Sequence, residues 1–247
     1  MKKEDIELKL LANLPIQIEN LGKYKSLTLK QLAEIGEEEY SNILGHLLFD
    51  KDDIPRSDSE EDSLTTLNMI SMISYLDSNF KLTIERGIEL FFREKVSLYF
   101  TEDEAFFYFG EFNEFRHFTE ELWELFCLVL RVDNHIPKQK KFEDEYEFLT
   151  EEARLAYQEM QRRKANAFKP KSKVNLHSRI SSVANKSNGL NIQEIWDLNI
   201  YQFHDQYNRL DHIGHYENTM LGIYTGNIDS KGIKLDDIHW ANIILNK

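Results

Sequence analysis

Cysteine, proline and glycine are all scarce: 1, 4 and 10 residues in a chain of 247. The lone Cys127 excludes a disulfide framework and any cysteine-based zinc site, and it suits a reducing compartment. So few glycines and prolines argue against a turn-rich β fold and favour helix. No apolar run approaches the roughly 20 residues needed to cross a bilayer. The opening MKKEDIELKLLANLPIQ has its apolar stretch broken by charge and does not read as a signal peptide. HExxH, Walker, GxGxxG, GxSxG and CxxC patterns are all missing, so no motif names a reaction. What is present is acid, 43 Asp and Glu against 30 Lys and Arg for a net charge of -13, together with 41% hydrophobic and 12% aromatic residues. That apolar content exceeds what a disordered chain carries. The expectation is a soluble, acidic, intracellular globular protein.

The prolines, Pro15, Pro55, Pro137 and Pro170, fall where the composition shifts. Alternation at Ile16 and Ile18 predicts a short strand or hairpin. Thr28 and Gln31 form a capping-box pattern, and the apolar spacing behind them predicts one helix over about residues 29–48. Seven acids from Asp50 to Asp62 mark a solvated loop. Ser63 is placed to cap a helix with Leu64, Leu67, Ile70, Ile73 and Leu76 on its apolar face, and Ile84, Ile88, Phe91 and Phe92 suggest another. VSLYF at 96–100 and AFFYF at 105–109 read as a hairpin, with a continuous buried helix as the alternative. Phe115, Phe118, Leu122, Leu125, Phe126 and Val129 share a helical face beside which Cys127 is a small core residue. The aromatic density over residues 99–126 fits either core or a partner groove. Thr150 caps a further helix with Ala153, Ala156, Tyr157 and Met160 inward.

Beyond that helix the chain changes character. From Met160 to Gln193 no acid occurs, while Arg162, Arg163, Lys164, Lys169, Lys171, Lys173, Arg179 and Lys186 contribute +8 and leave -21 for the rest. The Ser, Asn and Lys content reads as a flexible basic linker. The division is an acidic, aromatic-rich helical domain over 1–160, a linker over 161–189 and a C-terminal helical unit over 190–247. In that unit Asn199 is the expected cap of a long helix carrying Ile200, Phe203, Tyr207 and Leu210, Gly226 its stop, and Asp236 or Asp237 the start of a last short helix. The fold class is mostly α, with a small β-hairpin in the N-terminal domain.

Three sets of residues invite function. His204, Asp211 and His215 lie on one helical stripe with Asn208, a spacing at which imidazole and carboxylate groups share a divalent metal, so a metal-dependent hydrolase is one alternative. No glutamate stands as its general base, and polar residues beside an apolar face are the ordinary state of a helix. Arg162, Arg163 and Lys164 would contact phosphate or an acidic partner. Phe168 is the lone aromatic of that segment, and the -21 elsewhere repels a polyanion, which disfavours a nucleic-acid-binding module. The large rings Trp196, Tyr201, Phe203, Tyr207 and Trp240 are candidate anchors for a protein partner, because aromatics dominate interface energetics. Packing inside the C-terminal unit is the competing reading for the same rings.

The stretch IWDLNIYQFHDQYNRLDHIGHYENTMLGIYTGNIDSKGIKLDDIHWANII resembles the closing segment of proteins encoded in tail modules of phages of Gram-positive bacteria. NLPIQIENLGKYKSLTLKQLAEIGEEEYSNILGHLLFD is similar in style to the openings of their tail assembly chaperones and small baseplate proteins. The two stretches cover about a third of the chain. The resemblance implies a bacteriophage protein without enzymatic activity or cofactor, binding tail components such as the tape-measure or baseplate proteins, in the host cytoplasm or the virion. It leaves open whether the protein is a chaperone or a virion structural protein, and whether it is an oligomer.

Overall fold

The computed structural model describes residues 1–50, 65–100, 105–110, 116–137, 174–187 and 189–242. As the sequence predicted, the fold is mostly helical, with two small antiparallel sheets. Helix α1 (Lys3–Leu11) leads into the hairpin β1 (Ile16–Ile18) and β2 (Gly22–Tyr24), paired Ile16 to Tyr24 and Ile18 to Gly22. Ile16, Ile18 and Tyr24 turn inward while Gln17 and Lys23 face out, the period-two pattern of a half-buried strand.

The predicted capping box opens α2 (Leu29–Ile35): Gln31 N–H donates to Thr28 Oγ1 at 3.3 Å and Thr28 N–H to Gln31 Oε1 at 3.1 Å. The single helix expected over 29–48 is two helices. Gly36, at φ 95°, ends α2 and starts α3 (Glu37–Leu47), a backbone that a side chain would strain. Helix α4 (Thr66–Leu76) is capped by Thr65, not by Ser63, which lies outside the described residues. Of its expected face, Leu67 and Ile70 are buried but Leu76 is 81% exposed, and Ser71 and Ser74 occupy interior positions. Helix α5 (Ser78–Phe92), capped by Asp77, buries Ile84, Ile88, Phe91 and Phe92 as expected. A Cβ on its Gly87 would stand 2.8 Å from Ile43 Cγ2 and 2.9 Å from Leu47 Cδ1, so glycine permits the close approach of α3 and α5.

The expected second hairpin forms as β3 (Val96–Phe100) and β4 (Ala105–Phe109), and β5 (Arg116–His117) adds a third strand in the order β3-β4-β5. On the free side of β3, the Val96 amide donates to Glu89 Oε1 at 3.1 Å and the Leu98 amide to Glu85 Oε1 at 2.9 Å. Helix α6 (Glu120–Asp133), capped by Thr119, packs against the first hairpin and sets Trp123 against Phe107 of this sheet. The rings at their junction interlock: Tyr24 stacks on Phe91 at 5.1 Å between centroids, Phe92 meets Phe109 at 4.9 Å, and Phe118 meets Trp123 edge-on at 5.2 Å. Such pairs add about 0.5–1.5 kcal/mol each to the burial itself. Phe107, Phe109, Phe118, Trp123 and Phe126 are fully or almost fully buried, so these rings of the aromatic-rich stretch build core and not a groove.

Helix α7 (Leu176–Lys186) lies within the stretch 161–189 read as linker, a correction for its described part. The Asn175–Ser178 capping box starts it, and Ile180 and Val183 bury one face. A short α8 (Ile192–Ile195) precedes α9 (Ile200–Tyr224), and a 3-10 turn (Ser230–Gly232) and α10 (Leu235–Ile238) follow. The helix with a Thr150 cap falls outside the described residues.

Candidate interaction surface

The C-terminal helices are bolted to the N-terminal hairpin region by backbone. Residues 27–30 and 196–200 pair as an irregular ribbon: Leu29 N–H donates to Leu198 O at 2.9 Å, Lys30 N–H to Trp196 O at 3.1 Å and Ile200 N–H to Leu27 O at 2.9 Å. Asn199 caps α9 through Gln202, as its sequence position predicted, and its buried amide also donates to Leu10 O at 2.8 Å and Asn13 Oδ1 at 3.1 Å. A second small core joins Leu29 to Ile180, Val183, Ile195 and Phe203.

Beneath this joint lies Asp133, fully buried at the last turn of α6. Tyr24 Oη donates to its Oδ2 at 2.5 Å, Ser26 Oγ to its Oδ1 at 2.7 Å, and the Tyr201 backbone amide also bonds it. Burial nevertheless pushes its carboxyl up to about 6, and the negative end of a helix is an unfavourable place for an anion. Next to it Tyr40 Oη donates to Asn134 Oδ1 at 2.7 Å. Both tyrosines are raised well above their ordinary range, first by burial and then by Asp133. His135, at φ 52°, places its ring 4.9 Å from that of Tyr201 and 5.4 Å from that of His204. His204 is depressed to about 4 by burial, then by His135 and Arg179. Asp133 directs both oxygens at structural donors and has no open face for a substrate. Nothing distinguishes it in sequence from the other acids.

Helix α9 runs on from this anchored start for 25 residues, about 37 Å. Phe203 is its last fully buried side chain, one turn in. Beyond Tyr224 the chain folds back at Gly226 (φ 73°), and Ile228 sits against Gly222, where a Cβ would lie 2.5 Å from Ile228 Cδ1. Arg209 fastens the returning segment: one Nη donates to Trp240 O and Asn242 O, each at 2.8 Å, and the other pairs with Asp205 at 3.6 Å. The result is a helical arm that, with its returning segment, carries Leu221, Tyr224, Leu235 and Trp240 exposed.

The candidate anchors separate accordingly. Tyr201 and Phe203 are core and present no surface to a partner, because the first turn of α9 is packed on both sides. Trp196 and Tyr207 are half-buried against the second core, with the Arg179 guanidinium 5.5 Å above the Tyr207 ring. Only Trp240 is exposed, stacked on His239 at 5.5 Å. His204 is half-buried, whereas Asp211 and His215 face outward. Among the described residues no group of three or more His, Cys, Asp or Glu could hold a metal ion. Arg162, Arg163 and Lys164 lie outside the described residues. The Cys127 thiol is pushed up to about 12, chiefly by burial. Among the described residues, no helix is long and apolar enough to cross a membrane.

Residues 169–245 match the family model of the YomV second domain. The matched region takes in α7 through α10, the whole arm and every buried member of the small second core except Leu29. The similarity supports a phage-type protein. No curated protein and no solved structure matches the chain.

Proposed function

We propose that this is a non-enzymatic phage tail assembly or tail/baseplate protein that acts by protein–protein binding, with the α9 arm as its contact surface. The observation that carries the reading is the arm itself, a helix anchored at one end and extended past its last fully buried residue with Leu221, Tyr224 and Trp240 exposed. Exposed large apolar side chains gathered on one element mark a binding surface better than isolated ones do. The match of the same region to a phage-type domain supports a phage origin, and the resemblance of its sequence to tail-module proteins suggests the tail role. The partner is a tail component such as the tape-measure or a baseplate protein.

The test is capture with the tagged full chain from phage-producing cells, with Tyr224→Asp and Trp240→Ala variants beside it and metal content measured on the same preparation. Recovery of tape-measure or baseplate proteins, lost in both variants, is expected. Recovery of no phage structural protein, or stoichiometric metal on the wild-type chain, overturns the proposal.

A further inference from the structure

Arg179 of α7 holds its guanidinium 5.5 Å above the Tyr207 ring of α9. Its Nε is shut off from solvent and has no hydrogen-bond partner. Among the described residues no carboxylate forms an ion pair with it. His204, one turn before Tyr207, is half-buried, and its ring lies 5.4 Å from that of His135, just past α6. The charges that act on His204 are those of His135 and Arg179, both positive. Two acids close by in sequence are engaged elsewhere: Asp133 accepts from Tyr24 and Ser26, and Asp205 pairs with Arg209 at 3.6 Å. Three basic side chains from three parts of the chain thus converge at the joint, although the protein as a whole carries -13. The arginine, charged at every ordinary pH, is the one without a counter-ion.

We propose that this joint binds an oxyanion, a carboxylate or phosphate group, between Arg179, His204 and His135. A partly buried charge is costly until it is paired and hydrogen-bonded. A planar guanidinium offers its N–H groups as a fork that matches two oxygens of one such group, and stacking on Tyr207 presents that fork in a set plane. An anion held there turns the mutual repulsion of the three bases into a shared attraction. The site belongs to the anchored start of α9, away from Leu221, Tyr224 and Trp240, so it stands or falls independently of the proposed function.

NMR of the full chain reads the binding through the ring signals of His204 and His135, as inorganic phosphate or acetate replaces chloride at constant ionic strength. A saturable shift of both rings is expected with at least one of the two anions. The one that saturates at lower concentration identifies the natural group as phosphate or carboxylate. Arg179→Gln is expected to raise the saturating concentration at least roughly tenfold, the loss of a charge-assisted, forked contact. Arg179→Lys keeps the charge without the fork and is expected to fall between that variant and wild type. A wild-type chain whose rings show no saturable shift with either anion overturns the proposal. So does a shift that Arg179→Gln and Arg179→Lys both leave unchanged.

Discussion

The aromatic core and the α9 arm represent two ways of using apolar side chains. In the core, Tyr24, Phe91, Phe92, Phe109, Phe118, Trp123 and Phe126 come from a hairpin, a helix, a sheet, the link between β5 and α6, and α6 itself, and every ring meets at least two others. In the arm, Leu221, Tyr224 and Trp240 belong to one helix and its returning segment, held by Arg209 and a glycine contact. Burial drawn from distant parts of the chain gives the core its share of the stability. Those exposed side chains of the arm bury little area, so little of the stability is expected to rest on them.

This contrast predicts a graded series of effects, read by urea unfolding. Phe126→Ala removes a ring in contact with Tyr24, Phe91, Phe92, Phe118 and Trp123, and a loss of about 3–5 kcal/mol is expected. A loss below about 1 kcal/mol would erase the distinction between core and arm.

Next comes Asp133, where the two regions join. Its carboxyl is raised from 3.8 to about 6 in the folded chain, so its contribution is fully present below about pH 4 and is lost as pH rises through 6. His204 runs the other way. Depressed from 6.5 to about 4, it contributes stability present above 6.5 and lost as pH falls through 4. The two slopes oppose each other over the same interval. Asp133→Asn is expected to expose the histidine slope, with wild type losing about 3 kcal/mol relative to the variant between about pH 4 and pH 7. Parallel profiles for the two proteins would refute it.

Gly87→Ala drives a Cβ to within 2.8–2.9 Å of Ile43 and Leu47, and about 1–3 kcal/mol of destabilisation is expected. Tyr224→Ala, at 79% exposure, should change stability by less than about 0.5 kcal/mol while abolishing capture of the proposed partner. A large stability loss there would mean that the arm is part of the core after all.

Local chemistry was the legible part of this sequence. The capping boxes at Thr28–Gln31 and Asn199–Gln202 are written in residues three apart, and the hairpins in alternating β-branched and aromatic residues. The break at Gly36 was hidden because apolar spacing continues across it. Helix α7 was hidden because Ser, Asn and Lys look like linker. Its signal was the Asn175–Ser178 box ahead of Ile180 and Val183. Periodicity finds a helix but not which side its neighbours cover, hence the exposure of Leu76 and the burial of Phe203. Asp133 was illegible in principle, since what sets it apart from 42 other acids is the company of Tyr24, Ser26 and Tyr201, far away in sequence.

The hold that the Glu85 and Glu89 carboxylates of α5 have on the amides of β3 carries a wider consequence. Four residues of helix rise about 6 Å and two residues of strand about 6.6 Å, so one side of α5 matches the donors of the sheet margin in step. An incoming extended chain would need those same amides and would find them already engaged by anions. Ordered growth by adding strand to strand is thereby blocked at that margin. Removing both carboxylates would leave the Val96 and Leu98 amides open to an incoming strand.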